Sequence, residues 1–168
     1  MNEEIKITNS YLSFKIGETS FCVSVNKVLN ILELMKITNI PQSPEYMLGV
    51  INLRGEVLPV IDSRIKFGIK QSENTINTCI IVLDIEFEKD MSHIGFLVDA
   101  VLEVFEIEDE ALLPAPSIGN KFKSDFITGV FKIDNEFVMH LNIDKVFTSD
   151  ELIMVNIAND LIDNSENN

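Results

Sequence analysis

The 168-residue sequence is poor in the residues that build most catalytic and metal sites. It has two histidines, His93 and His140, and neither stands in an HExxH motif or at another paired-ligand spacing. Its seven glycines form neither a GxGxxG fingerprint nor a P-loop, so the sequence gives no support to nucleotide binding. The two cysteines, Cys22 and Cys79, have no histidine close in sequence that would activate a thiolate. We therefore predict a protein without catalytic activity, bound metal or cofactor.

Positive charge is also scarce, because 13 Lys and Arg face 27 Asp and Glu and give a formal net charge of −14. Such a surface repels nucleic-acid phosphates and anionic lipid. The longest apolar run has five residues, 79–83, far short of the roughly 20 that cross a bilayer. The chain does not open as a secretory signal does, and we interpret the cysteines as reduced thiols in strands. These features predict a cytoplasmic protein that neither binds nucleic acid nor inserts into a membrane.

Alternating hydrophobic and polar residues indicate mostly β structure. Residues 11–16 and 21–25 alternate on either side of a Gly-Glu turn at 17–18, which predicts a hairpin with one buried face. Residues 43–49 begin with Ser-Pro-Glu and end with glycine, the pattern of a short helix. A C-terminal helix and tail are predicted over 148–168, where a capping residue and acids precede apolar side chains at helical spacing.

Two stretches of the sequence repeat one another at a constant offset of 73 residues. Residues 21–33, FCVSVNKVLNILE, align with residues 94–106, IGFLVDAVLEVFE. The repeat continues in two further pairs: Ile40-Pro41 with Leu113-Pro114 and, past an insertion, Gly49-Val50 with Gly129-Val130. We expect two similar β-rich halves, and short strands at this spacing favour small barrels with a groove between them.

The stretch GVINLRGEVLPVIDSRIKFG, residues 49–68, resembles the signature of the CheW coupling proteins of bacterial chemotaxis. Residues 95–107, 112–116 and 127–147 resemble the corresponding segments of the second half of that family. The likeness covers nearly the whole chain. The same domain occurs in the kinase CheA and in CheV proteins, but this chain has no room for a kinase core, so the free-standing coupling protein is the better match.

The resemblance implies a fold of two pseudo-related five-stranded Src-homology-3-like β-barrels with short helices and a C-terminal helix. The two subdomains are expected over roughly residues 10–75 and 76–150, with intertwined boundaries. It also implies a non-enzymatic adaptor that couples the cytoplasmic tip of a chemoreceptor to the regulatory domain of the histidine kinase CheA. Such an adaptor supports receptor control of CheA autophosphorylation and joins membrane-associated receptor arrays through its partners.

The resemblance assigns site residues by position. In the first half, the positions that match the receptor-binding groove are Leu12, Val25, Val28 and Ile31. Their expected counterparts in the second half are Val98 and Val101, and the repeat adds Val104 at the same spacing of three. Core packing is the alternative interpretation of these residues. The kinase-binding surface matches residues 35–49, which gives Ile40, Leu48 and Gly49 as candidates.

Asn30 and Arg54 complete the predicted receptor surface. Many family members have an acid at the position of Asn30, so this chain keeps a polar group there and loses the charge. Arg54 stands beside Gly55 at a tight bend, and its rigid fork of five donors suits it to tie backbone carbonyls or a carboxylate across that bend. A solvated turn arginine is the alternative. A small-molecule-binding barrel that uses the groove, with His93 or His140 as its polar group, is the alternative function.

Overall fold

A computed structural model of the chain describes residues 7–87, 89–115 and 126–147. The predicted C-terminal helix over 148–168 lies outside these residues. The described residues form ten strands: β1 Thr8–Ile16, β2 Thr19–Ser24, β3 Val28–Glu33, β4 Met47–Leu53, β5 Glu56–Asp62, β6 Cys79–Phe87, β7 Asp90–Val98, β8 Ala100–Glu108, β9 Ile127–Ile133 and β10 Glu136–Leu141. They also form one short α-helix and three 3₁₀ turns: α1 Ser63–Lys66, η1 Val25–Lys27, η2 Asp109–Ala111 and η3 Ile143–Lys145. None of these helices is long and apolar enough to span a bilayer.

The strands form two five-stranded sheets, which confirms the predicted mostly-β fold. Sheet A has the order β8-β1-β2-β10-β9, and sheet B has the order β3-β6-β7-β5-β4. The first half of the chain gives its hairpin β1-β2 to sheet A and its next three strands to sheet B. The second half does the reverse, with β6-β7 in sheet B and β8 to β10 in sheet A. The two halves therefore exchange hairpins, and each sheet contains strands from both.

The register of the edge strands shows that the two halves are repeats. In β3, Val28 pairs with Leu83 and Ile31 pairs with Ile81, so a step of three residues along the edge strand matches a step of two along its neighbour. The same holds in β8, where Val101 pairs with Phe14 and Val104 pairs with Leu12. Each sheet thus has the same bulge at positions related by the offset of 73. The predicted offset holds for β3 and β8.

The repeat was misplaced by two residues in the segment that follows each edge strand. Thr38 forms an isolated bridge with Val50, and Leu113 forms the matching bridge with Val130. Leu113 is therefore equivalent to Thr38, and the predicted alignment of Ile40 with Leu113 is wrong. Because β3 and β4 are the two edges of sheet B, the Thr38 bridge draws these edges together into a barrel-like closure.

Gly49 and Gly129 make these bridges possible. A Cβ atom on Gly49 would lie 2.1 Å from the Thr38 carbonyl oxygen, and one on Gly129 would lie 2.4 Å from the Leu113 carbonyl oxygen. The helix predicted over 43–49 is wrong, because β4 begins at Met47 and turns occupy the residues before it. The ladder to β5 and the bridge to Thr38 outweigh the local helical pattern.

The described residues form three hydrophobic cores, which stabilise this arrangement. A shared core between the sheets takes side chains from both, among them Leu12, Phe14, Ile81 and Phe96. Two smaller cores fill the individual barrels: Ile51, Leu58, Val60, Ile80, Val82 and Leu97 in sheet B, and Tyr11, Cys22, Phe131 and Val138 in sheet A. The hairpin β1-β2 forms as predicted, but it is buried on both faces rather than one, because the shared core covers one face and the core of sheet A covers the other.

Candidate functional site

The edge strands β3 and β8 present apolar side chains at the boundary of the shared core. Ile31 pairs directly with Ile81, and Val104 pairs directly with Leu12. Directly paired residues share one face of a sheet, so Ile31 and Val104 lie on the face that covers the shared core. Their partners are buried, whereas Ile31 is 44% exposed and Val104 is 60% exposed. These two side chains therefore stand at the edge of that core, open to solvent.

Val28 and Val101 lie next to them, half-buried against the same core. We call Val28, Ile31, Val101 and Val104 the apolar rim. Because Val28 matches Val101 and Ile31 matches Val104 in the repeat, each half of the chain contributes the same two positions. The bulge residues beside them, Leu29 and Leu102, are also exposed, at 50% and 47%. The rim is thus flanked by further apolar surface.

The structure buries two of the residues that were predicted to form the groove. Leu12 is 3% exposed and Val98 is 1% exposed, and both belong to the shared core. Neither presents a surface in this structure, so core packing is the better interpretation of these two positions. Val25 is half-buried in η1, which contacts β1 of sheet A and β6 of sheet B. Val25 therefore lies where the two sheets meet.

Asn30 serves the bulge of β3. Its Oδ1 accepts a hydrogen bond from the backbone N–H of Ile31 over 2.9 Å, and its side chain is half-buried. The Asn30 side chain thus bonds to the backbone of its own strand, directly after the bulge.

Arg54 does not have the bridging role that was predicted for it. It occupies the two-residue turn between β4 and β5 with φ +53°, followed by Gly55 with φ +83°. Asn52 holds this turn instead, since its Oδ1 accepts from the Gly55 N–H over 2.9 Å. Within the described residues, the exposed Arg54 guanidinium makes no hydrogen bond or ion pair with another side chain or with the backbone.

The second arginine of the chain, Arg64, is the one that ties segments together. Its Nε and Nη2 donate to the two oxygens of Asp62 over 3.0 and 3.1 Å, and its Nη1 donates to the Ser72 carbonyl over 2.8 Å. Burial by itself would raise the pKa of Asp62, but hydrogen bonds from Arg64 and Gln71 outweigh it and hold that pKa below its ordinary value. The hydrogen bond to Asp62 likewise raises the pKa of Arg64 against the opposing effect of burial. Arg64 is therefore a charged structural residue that fixes α1 and the loop after it.

The residues predicted for kinase binding lie around a second feature. Ile40 and Leu48 are half-buried and line a shallow concavity formed by residues 39–45, 47 and 48. Gly49 is buried under the Thr38 backbone, so it shapes this segment rather than offering a side chain.

The two histidines lie away from the apolar rim. The His93 Nδ1 lies 3.0 Å from Glu56 Oε1, and its Nε2 lies 3.6 Å from Asp84 Oδ1. His140 contacts Thr128 Oγ1 through Nδ1 and packs against the rings of Tyr11 and Phe131. Burial lowers the pKa of His140, with a weaker opposing effect from Asp109. Alternation along β7 and β10 places both histidines on the barrel-interior faces of their sheets, so neither supplies a polar group to the rim.

Known proteins resemble the chain over most of its length. The CheW-like domain family matches residues 10–151. The chain is 36% identical over 140 residues to the chemotaxis protein CheW of Rhizobium meliloti, which covers 83% of this chain and 88% of that protein. It is 33% identical over 135 residues to the chemotaxis protein CheW of Thermotoga maritima, covering 80% and 85%. The crystal structure of the scaffolding protein TtCheW from Thermoanaerobacter tengcongensis superposes with a TM-score of 0.75 at 28% identity, over 86% of this chain and 96% of that one.

The family match covers the ten described strands, from near the start of β1 to beyond β10. The solved scaffolding protein is similar in fold as well as in sequence. The chain belongs to the family of CheW-like domain proteins.

Proposed function

We propose that the chain is a non-enzymatic scaffold of bacterial chemotaxis, which couples the cytoplasmic tip of a chemoreceptor to the regulatory domain of CheA. In this role it works in the cytoplasm and joins receptor arrays through its partners. The observation that carries the proposal is the apolar rim, placed at equivalent positions of the two halves in a chain whose relatives are named chemotaxis proteins. Adaptors bind their partners through complementary surfaces, and the apolar rim provides such a surface.

A receptor helix fits the rim on energetic grounds. An amphipathic helix binds by placing its apolar stripe against exposed apolar side chains. Complete burial of one valine or isoleucine contributes about 1.5–3 kcal/mol, and Ile31 and Val104 still have roughly half of their surface to bury. Together with the half-buried Val28 and Val101, these side chains can contribute a few kcal/mol to a partner that contacts both edge strands.

The first test replaces rim residues by glutamate. Val28→Glu and Val101→Glu should abolish binding to the receptor tip. Because both valines also contact the shared core, these two variants should be less stable than the wild-type protein. Ile31→Glu and Val104→Glu are the cleaner pair, because these side chains are already about half exposed. Phe137→Glu is the matched control, since Phe137 is an apolar residue 61% exposed on β10 and outside the rim.

The expected result is a loss of receptor binding in both rim variants, measured by calorimetry on protein with a native circular dichroism spectrum. We propose the concavity lined by residues 39–45, 47 and 48 as the CheA surface, and since it includes no rim residue, binding to the CheA regulatory domain should survive in both variants. A folded Ile31→Glu variant that binds the receptor tip as well as the control does would refute the rim as the receptor site.

We also propose that the Arg54 guanidinium makes a polar contact with the receptor. Its guanidinium is exposed and unpaired within the described residues, so Arg54→Ala should weaken receptor binding and leave the melting temperature unchanged. In a reconstituted mixture the wild-type protein should restore receptor control of CheA autophosphorylation. Nucleotide turnover by the purified protein alone would contradict the non-enzymatic assignment.

A further inference from the structure

Within residues 7–87, 89–115 and 126–147, the chain crosses between the sheets at two places, and the apolar rim begins just after each of them. From β2 to β3 it passes from sheet A to sheet B through η1, and Val28 follows the last residue of η1, Lys27. From β7 to β8 it passes from sheet B to sheet A at Asp99, and Val101 lies two residues further on. The direction in which each crossover leaves its sheet therefore sets where the rim side chains stand.

An ion pair fixes each crossover to the turn that follows the neighbouring parallel strand. The Lys27 Nζ lies 2.8 Å from Asp144 Oδ2, and Asp144 is in η3 after β10. The Arg64 Nη1 lies 3.2 Å from Asp99 Oδ1, and Arg64 is in α1 after β5. β10 runs parallel to β2, and β5 runs parallel to β7, so the two pairs join corresponding segments of the two halves, although the offset of 73 matches Asp99 with Asn26, the neighbour of Lys27.

Matching capping contacts show that Arg64 and Asp144 are equivalent positions. The Arg64 N–H donates to the side chain of Asp62, and the Asp144 N–H donates to the side chain of Asn142. The two ion pairs therefore have opposite polarity: a cation in the turn holds an anion in one crossover, and an anion in the turn holds a cation in the other.

Each aspartate also contacts the opposite sheet. Asp144 Oδ1 accepts from the Glu86 N–H of β6 over 2.9 Å, and Asp99 Oδ2 accepts from the Gly17 N–H of the β1-β2 turn over 2.6 Å. Each pair thus connects a crossover to both sheets at once. Such a contact restrains the relative position of the sheets as well as the crossover.

The two pairs differ in burial. The Arg64 and Asp99 side chains are 4% and 17% exposed, and Asp62 and Ser72 also hold Arg64. The Lys27 and Asp144 side chains are 28% and 29% exposed, and the other side-chain hydrogen bond of η1 within the described residues is the Ser24 cap on Asn26. Loss of the first pair threatens the fold, whereas loss of the second removes a restraint on β3.

We infer that Lys27 and Asp144 are positioning residues for the receptor surface: their ion pair sets the exit of β3 from η1 and thereby the placement of Val28 and Ile31. This inference rests on the proposed function. Lys27 and Asp144 act through the rim and contact no partner themselves. Their removal therefore changes receptor affinity more than CheA affinity.

The test uses Lys27→Met, which keeps the length of the side chain, and Asp144→Asn, which keeps an oxygen for the Glu86 N–H. Dissociation constants for the receptor tip and for the CheA regulatory domain are measured by calorimetry, with melting temperatures on the same preparations. Each variant should raise the receptor Kd about three- to tenfold and leave the CheA Kd within about twofold, with melting lowered by at most about 4 °C. The double variant should bind no more weakly than the weaker single variant, because both changes remove one contact. Lys27→Arg should bind as the wild type does, and so should the control Lys145→Met, whose side chain is exposed beside Asp144.

Three outcomes would overturn the inference, and they are distinguishable. Unchanged receptor binding by Lys27→Met, alongside its loss in Ile31→Glu, refutes the positioning role and leaves the proposed function intact. A parallel weakening of both partners with a large fall in melting temperature makes the ion pair merely structural. Failure of the wild-type protein to bind the receptor tip at all refutes the proposed function, and the inference with it.

Discussion

Replacement of Arg64 by methionine should destabilise the protein severely, although the chain tolerates the same change at its other arginine. Asp62 is fully buried and receives two hydrogen bonds from the Arg64 side chain, over 3.0 and 3.1 Å. Methionine keeps the apolar stem of the side chain and leaves the carboxylate without its cation. Removal of one partner from a buried ion pair costs about 3–5 kcal/mol, a large share of the roughly 5–15 kcal/mol that stabilises a typical domain. Arg54→Met, at an exposed turn, should cost less than about 0.5 kcal/mol.

The loss of stability in Arg64→Met relative to the wild-type protein should decrease as the pH is lowered. In the wild-type protein the pKa of Asp62 is lowered, so its contribution to stability is present above about pH 4 and is lost as the pH falls through the folded-state pKa. In Arg64→Met, burial acts without opposition from the guanidinium and raises the pKa of Asp62, so the ionised carboxylate is destabilising at pH 7. The difference between variant and wild type should therefore be largest at pH 7 and shrink toward pH 4.

Urea unfolding followed by circular dichroism at pH 7 and pH 4 measures both quantities, with Arg54→Met as the matched control. If Arg64→Met does not refold at pH 7, Arg64→Lys keeps a cation and should show a smaller loss of the same sign. A loss below about 1 kcal/mol for Arg64→Met, or a loss equal at both pH values, would refute the reasoning about the buried pair.

Two further predictions concern the backbone and the second histidine. In urea unfolding, Gly129→Ala should lower the free energy of unfolding by about 3 kcal/mol, because its Cβ would lie 2.4 Å from the Leu113 carbonyl oxygen. Gly55→Ala is the control, since its Cβ would have no atom within 4 Å. It should cost only the strain of its positive φ, about 1–2 kcal/mol. Equal costs would show that the close approach is not what requires glycine at 129. Because burial lowers the pKa of His140, the free energy of unfolding should fall as the pH drops below about 6.5. His140→Gln should reduce this dependence on pH between about pH 7 and pH 5. If the dependence is unchanged in the variant, another group causes it.

Much of the fold could be predicted because its signals are local. Alternating residues indicated the hairpin β1-β2, and the offset of 73 identified residues 28–33 and 101–106 as equivalent segments. The bulge that β3 and β8 share was not predicted. The exchange of hairpins between the sheets is not a local property, since alternation within a strand does not state which sheet the strand joins. The error at Ile40 arose in the segment before the bridge. Thr38 follows Ile31 by seven positions, whereas Leu113 follows Val104 by nine, so the second half contains two extra residues that a constant offset does not include.

The candidate site was predictable in part. Ile31 and Val104 follow from the spacing and the repeat, but Leu12 and Val98 have the same residue types and differ only in burial. A strand covered on both faces has no polar side that would mark its orientation, so the sequence could not separate core from surface there. The same limit applies to the arginines, because the sequence does not state that Asp62 and Asp99 converge on Arg64 while Arg54 stays exposed.

The exchange of hairpins has a consequence for how the molecule can be divided. A cut in the loop between α1 and β6 would leave each fragment with two strands of one sheet and three of the other, and neither fragment would own a complete barrel. Each fragment would keep its half of the shared core exposed until it met the other, so the fragments should gain structure only on mixing. The two halves thus pack against one another as the subunits of a heterodimer do. The loop between them is a covalent link that gives each half a high effective concentration of the other.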